Sequence, residues 1–207
     1  MTAALSPLRF LALGDSYTIG EAVPAAACWP SVLARRLRLS GVVIDDPHIV
    51  AMTGWTTDEL AHGMDEAALA PPYDLVTLQI GVNNQYRDRG ADDYRREFAH
   101  LLARAITQAG HRPGQVVVVS IPDWGVTPFA HAQRRDPTAI AAALDAFNAI
   151  AHQHADRAGT RFVDITTISR QAPHELASDG LHPSAAQYAR WVEAILPVMR
   201  KALAATP

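Results

Sequence analysis

Near one end of the chain an apolar stretch, Phe10-Leu11-Ala12-Leu13, runs into Gly14-Asp15-Ser16, and near the other end stands Asp179-Gly180-Leu181-His182-Pro183. A serine hydroxyl is a weak nucleophile at neutral pH and needs a base within hydrogen-bond reach to take its proton. His182 is the candidate base for Ser16. Asp179 lies three residues earlier, in a turn broken by Gly180 and ended by Pro183, where a carboxylate can fold back onto the imidazole, fix its tautomer and stabilise the imidazolium. These three side chains describe acyl transfer through a serine ester.

Such chemistry also needs hydrogen-bond donors aimed at the oxyanion that forms when a carbonyl becomes tetrahedral, and losing one donor typically costs about 3 kcal/mol. Three candidates are present: the backbone N–H of Ser16, the backbone N–H of Gly54 in Thr53-Gly54-Trp55, and the side-chain NH2 of Asn83 in Gly81-Val82-Asn83-Asn84. Taken singly, Gly54 and Asn83 read equally well as ordinary turn residues. Tyr17, Trp55, Trp124 and Phe129 fall in or near the same segments and are the candidates for a pocket wall facing an acyl chain, an aryl group or a sugar.

Other histidines compete poorly for a chemical role. His152 and His154 are two apart in a helical pattern, so they point to different faces and make a poor metal pair. His174 has no carboxylate at the offset that Asp179 has from His182. Gly14 and Gly20 frame neither a P-loop nor a dinucleotide fingerprint, so neither a cofactor nor a metal is expected.

The elements that must position these residues alternate along the chain. Short apolar runs bounded by turn residues predict strands at 9–13, 42–44 together with 48–51, 75–80, 115–121 and 161–165. Helical spacing predicts helices at 30–39, 58–69, 92–109, 137–158 and 184–203, with Asp92 as a cap for the third and Pro197 as a kink or break in the last. Five strands separated by helices favour a mostly parallel sheet covered on both faces, a three-layer α/β/α fold. Ligands bind such sheets outside the carboxyl ends of the strands, and every candidate residue above follows a predicted strand. The 123–137 segment reads as the longest irregular stretch and the best candidate for substrate selection.

In this order the motifs resemble those of the SGNH hydrolases, also called the GDSL esterase and lipase family. Ser16 in Gly14-Asp15-Ser16 is similar to the family's first block, Gly54 to its second, Asn83 in Gly81-Val82-Asn83 to its third, and Asp179 with His182 to its fifth. The resemblance implies a flavodoxin-like sheet, a Ser-Asp-His triad and a three-donor oxyanion hole. Two positions depart from the family pattern: Tyr17 stands where leucine gives the motif its name, and Asn84 where an aspartate is usual, which bears on how rigidly Asn83 is held. The Gly-x-Ser-x-Gly elbow of ordinary α/β-hydrolases is absent.

Composition sets the outer limits. A chain of 207 residues, 49% hydrophobic and 19% charged with a net charge of -3, is expected to form a single domain over 1–207, with 1–7 as an extended or disordered arm. Its basic residues are scattered, which argues against nucleic acid as a partner. Cys28 is the only cysteine, so no internal disulfide or thiolate cage can form. No basic, uninterrupted apolar leader and no run of about 18 apolar residues is present, so a cytoplasmic protein without a membrane span is expected. The expected partner is a small, soluble ester carrying an acetyl or short acyl group, or an aryl or sugar ester. Alternatives with the same triad are a thioesterase, a lysophospholipase or an O-acyltransferase. A catalytically silent module that binds acylated ligands is the alternative outside enzymes. The oligomeric state is not readable from the residues.

Overall fold

The computed structural model describes residues 6–204. Five strands, β1 (Phe10–Asp15), β2 (His48–Met52), β3 (Leu75–Gln79), β4 (Val116–Val119) and β5 (Arg161–Val163), form one sheet in the order β2-β1-β3-β4-β5. All four pairings are parallel; in register, Leu13 lies between Val50 and Leu78, and Val118 between Leu78 and Phe162. This is the flavodoxin-like order, whose crossovers leave a switch point between β1 and β3 at the carboxyl edge.

Nine helices connect and cover the strands among the described residues: α1 (Ser16–Ile19), α2 (Trp29–Leu39), α3 (Thr57–Glu66), α4 (Val82–Tyr86), α5 (Ala91–Gln108), α6 (Pro128–Ala132), α7 (Pro137–Ala158), α8 (Thr166–Gln171) and α9 (Ala185–Ala204). Helices α2 and α9 pack together on one face; α3, α5 and α7 form the other layer. Every residue of β1, β3 and β4 is buried, which is why these strands read as continuous apolar runs rather than alternating ones. Each fully buried Leu or Val in them stabilises the fold by roughly 2 kcal/mol.

Helix boundaries follow local chemistry. A capping box at Thr56 and Glu59 starts α3, and the Asp136 side chain, accepting from the Thr138 N–H, starts α7. Asp92 does not cap α5: the N-cap is Gly90, and Asp92 sits in the first turn, where its charge still favours the positive end of the helix. Residues 42–44 are not a strand; only Ile44 bridges to Leu8, because the chain there turns from α2 towards β2. Pro197 does not break α9, since it lies on the exposed face, where water can satisfy the carbonyl it frees, while Ile195, Leu196 and Met199 bury the opposite side. The 123–137 segment is not irregular: a short 3-10 turn at Trp124–Val126 and α6 occupy most of it. Of the expected N-terminal arm, residues 1–5 lie outside the described residues, and Ser6 and Pro7 are exposed and without regular structure.

Candidate active site

Strand β1 ends in Asp15, whose carboxylate accepts from the Tyr17 N–H at 3.1 Å and caps the single turn of α1. That sharp turn from strand to helix puts Ser16 at the carboxyl edge of the sheet. Gly14 is required by space: a Cβ there would lie 2.0 Å from Thr18 Oγ1 and 2.7 Å from the Gln79 carbonyl. Asp15 is fully enclosed, and burial raises its carboxyl from the usual 3.8 to about 7, against the opposing effect of the Tyr17 and Asp15 N–H groups.

A stability consequence follows from Asp15. The unfolded chain ionises this residue near pH 4 while the native state holds its proton to about pH 7, so its contribution is fully present below pH 4 and is lost as pH rises through 7. Asp15→Asn keeps the acceptor for Tyr17 but cannot ionise. Relative to the parent, its melting temperature is expected to climb between pH 4.5 and 7.5, by an amount equivalent to a few kcal/mol at about 1.4 kcal/mol per tenfold change in proton affinity. A constant difference across that range would show that Asp15 ionises normally.

The nucleophile candidate meets its partners across the whole chain. Ser16 Oγ lies 3.0 Å from His182 Nε2, and His182 Nδ1 lies 2.6 Å from Asp179 Oδ2. The other carboxylate oxygen of Asp179 accepts from the backbone N–H groups of Leu181 and His182, both at 3.0 Å, which closes the turn predicted around Gly180. Partial burial opposes ionisation of Asp179, but the bonds from the His182 ring and from the Leu181 and His182 N–H groups outweigh it and hold the carboxyl below its usual range. An ionised Asp179 accepts a hydrogen bond from the Nδ1–H, which fixes the tautomer and leaves Nε2 as acceptor for the Ser16 hydroxyl. Tyr17 is buried, its ring edge-on to His182 at 5.5 Å between centroids, and burial followed by the charges of Asp15, Asp123 and Asp179 raises its phenol, keeping it neutral.

The oxyanion candidates arrive on β2 and β3. Gly54 closes a turn in which the Trp55 N–H donates to the Met52 carbonyl at 3.2 Å, and its φ of +85° is the left-handed value that glycine tolerates. Among the described residues, the Gly54 N–H has no acceptor. Asn83 opens onto the same pocket from α4, and its amide donates to the Trp55 carbonyl at 2.9 Å, a bond that uses one of its two protons.

Asn84 answers the departure from the family pattern. It is buried, its Oδ1 accepts from the Thr57 N–H at 3.0 Å, and its Nδ2 donates to Thr57 Oγ1 at 2.6 Å and to Glu97 Oε2 at 3.3 Å. A neutral amide can both accept and donate there, whereas a carboxylate would face Glu97 as a like charge. The loop beside Asn83 is therefore tied down through Asn84.

A cleft of about 150 Å³ opens over these groups, lined by Ser16, Tyr17, Gly54, Asn83, His182 and the aromatic wall of Tyr86, Trp124 and Phe129. Trp124 is buried, and its indole N–H donates to Gln85 Oε1 at 2.8 Å; Phe129 hangs from α6, whose first turn is joined to the His182 loop by the Phe129 N–H bond to the Gly180 carbonyl at 3.2 Å. Trp55 does not line the cleft. Its ring covers Gly63 of α3, where a Cβ would lie 2.2 Å from it, and only its backbone carbonyl serves the site. Tyr86, Thr53, Val82 and Leu181 line the cleft without having been singled out in the sequence. Tyr86 had a signal, being three residues after Asn83 in a helix and thus on the same face. The competing histidines stay apart: His152 stacks on Phe162 at 4.4 Å, His154 lies near Phe98, and His174 is exposed.

Chemically, the hydrogen-bonded chain can move a proton from Ser16 to His182, and Gly54 and Asn83 line the same cleft as Ser16. A model of the GDSL-like lipase/acylhydrolase family matches residues 12–190, which include every candidate site residue. Among solved structures, TesA is 18% identical with a TM-score of 0.73, covering 94% of this chain and 99% of that one. A lipase/acylhydrolase from Enterococcus faecalis is 18% identical with a TM-score of 0.73 over 92% of this chain and 94% of its own. Axe2, an acetylxylan esterase from Geobacillus stearothermophilus, is 19% identical with a TM-score of 0.72 over 94% of each chain. At these identities the structures establish the shared fold. No curated protein sequence matches the chain.

Proposed function

The chain belongs to the GDSL-like lipase/acylhydrolase family, and from that membership we propose a serine carboxylic ester hydrolase whose nucleophile is Ser16, acting on small, soluble esters. The observation that carries this reading is the relay of Ser16, His182 and Asp179, joined at 3.0 Å and 2.6 Å at the floor of an apolar cleft.

In the proposed reaction His182 Nε2 takes the Ser16 proton as Oγ attacks the ester carbonyl carbon. The carbonyl oxygen becomes an oxyanion held by the N–H groups of Ser16 and Gly54 and by Asn83 Nδ2. Asp179 stabilises the imidazolium, which then gives its proton to the departing alkoxide and leaves an acyl-serine. A water molecule, deprotonated in turn by His182, attacks the acyl carbon, and Ser16 recovers its proton as the acid leaves.

Cleft size and chemistry favour short acyl, aryl or acetylated sugar esters. The lining contains no Asp, Glu, Lys or Arg side chain, and about 150 Å³ leaves room for a few carbons. Sugar faces stack on aromatic walls as acyl groups do, and Axe2, of the same fold, is named as an acetylxylan esterase. Among the described residues no helix is long and apolar enough to cross a membrane.

A panel of p-nitrophenyl esters from acetate to decanoate, with acetylated xylose alongside, tests the substrate reading. The expected result is a maximum of kcat/KM at two to four carbons; a maximum at eight or more would overturn it. Phe129→Ala removes a half-buried ring from the wall and is expected to raise the hexanoate-to-acetate ratio of kcat/KM by about tenfold, as about two newly accommodated methylenes at about 0.8 kcal/mol each would allow. An unchanged ratio would place the acyl group elsewhere. Free acid as the sole product, with ethanol added, separates hydrolysis from acyl transfer.

A further inference from the structure

Arg87 lies outside the cleft lining, yet its guanidinium holds the residue that supplies the second oxyanion donor. It follows Asn83 by four positions, one helical turn, so both side chains reach the same neighbouring loop from α4 and its C-cap. Arg87 Nη2 donates to the Gly54 carbonyl at 2.6 Å, and Nη1 lies 3.3 Å from Glu59 Oε1. The second oxygen of Glu59 accepts from the Thr56 N–H at 2.8 Å and from Thr56 Oγ1 at 2.9 Å, within the capping box of α3. The guanidinium thus bridges the start of α3 and the Gly54 carbonyl. Three positions from the loop into α3 are gripped from one side: Gly54 by Arg87, Trp55 by Asn83 and Thr57 by Asn84.

This grip bears on the direction of one N–H. The Gly54 N–H belongs to the peptide between Thr53 and Gly54, in a turn from Met52 to Trp55. Gly54 stands at φ +85°, and without a side chain its backbone is free to swing. The carbonyl that Arg87 holds belongs to the next peptide, between Gly54 and Trp55, so the bond anchors Gly54 from its far side. A displaced Gly54 would carry its N–H away from the oxygen it should hold. The Arg87–Glu59 pair is itself largely exposed, at 43% and 40% of the side-chain surface, so it adds little to global stability. We infer that Arg87 is a positioning residue that, by holding the Gly54 carbonyl, keeps Gly54 and its N–H in place for oxyanion binding. This inference rests on the oxyanion role proposed above for Gly54 and Asn83.

The test compares Arg87→Ala and Arg87→Lys with the parent on p-nitrophenyl acetate. Arg87→Ala is expected to lower kcat by on the order of tenfold or more with KM changed by less than about twofold, since a misaimed donor weakens the transition state rather than ground-state binding. Its melting temperature should stay within about 3 °C of the parent. Arg87→Lys, and Arg87→Ala supplied with millimolar guanidinium, should recover part of kcat. In an Asn83→Ala background the further loss on Arg87→Ala should shrink, because both act on one hole. Parental kcat in Arg87→Ala, or a loss seen only in KM, overturns the proposal. Nuclear relaxation of the Gly54 amide supplies a readout that needs no turnover: slow exchange appearing in Arg87→Ala supports the lock, and an unchanged amide refutes it. A parent protein inactive on every ester would instead refute the esterase reading, and the Gly54 amide would still report on Arg87.

Discussion

Ser16→Ala is expected to abolish ester hydrolysis, lowering kcat by on the order of 10⁴-fold or more, while the fold survives. Removing the hydroxyl removes the atom that forms the acyl-enzyme, and the remaining donors can only polarise a carbonyl towards water. The structural cost is small. Ser16 Oγ bonds to His182 Nε2 at 3.0 Å, and one such neutral hydrogen bond is worth about 1 kcal/mol. A fluorophosphonate probe should label the parent protein at Ser16 and leave the variant unlabelled. Circular dichroism and melting temperature would show that both are folded. Retained hydrolysis in a folded Ser16→Ala protein would remove Ser16 from the mechanism, whereas a parent protein that neither hydrolyses esters nor takes the label would leave the scaffold as a binding module.

Asn83→Ala carries the second largest expected effect, a fall in kcat of about 10²- to 10³-fold with little change in KM. The side chain has two duties that the measurement separates. One amide proton holds the Trp55 carbonyl at 2.9 Å, a bond whose loss costs about 1 kcal/mol of stability. In the proposed mechanism the other proton meets an oxygen that becomes negative only in the transition state. A donor of that kind contributes to turnover and not to folding. Turnover should therefore collapse while the melting temperature falls by a few degrees. The reverse pattern, a large thermal loss with normal turnover, would make Asn83 a brace for the Gly54 loop alone.

Much of the architecture could be read in advance because its causes are local. The buried strands Phe10–Asp15, Leu75–Gln79 and Val116–Val119 are nearly unbroken apolar runs, and a strand covered on both faces has no reason to alternate. Asp179-Gly180-Leu181-His182 announces its own turn, since the carboxylate bonds to N–H groups two and three residues on. Where the readings failed, a distant neighbour decided. Trp55 looked like a pocket aromatic because it follows Gly54, but the absent side chain of Gly63 leaves a slot on α3, and the ring fills it. Asp92 looked like a cap, yet the tertiary path of the chain starts α5 two residues earlier, at Gly90. Pro197 looked like a break, and only the packing of α9 shows that it faces water.

The sequence alone determined which groups are available for the proposed chemistry: a serine hydroxyl, an imidazole, a carboxylate and amide donors, each placed by a short motif after an apolar run. Those properties depend on residue type and on turns of a few residues, so they survive without knowledge of the rest of the chain. Only the tertiary structure decided that Ser16 and His182, 166 positions apart, meet at 3.0 Å. It also decided that Asn84 bonds to Thr57 and Glu97, and that Arg87 reaches back to Gly54. Distances of this kind follow from how the parallel sheet and its two helical layers pack as a whole. A side chain's direction within that packing depends on surfaces contributed by residues far along the chain, which no local pattern records.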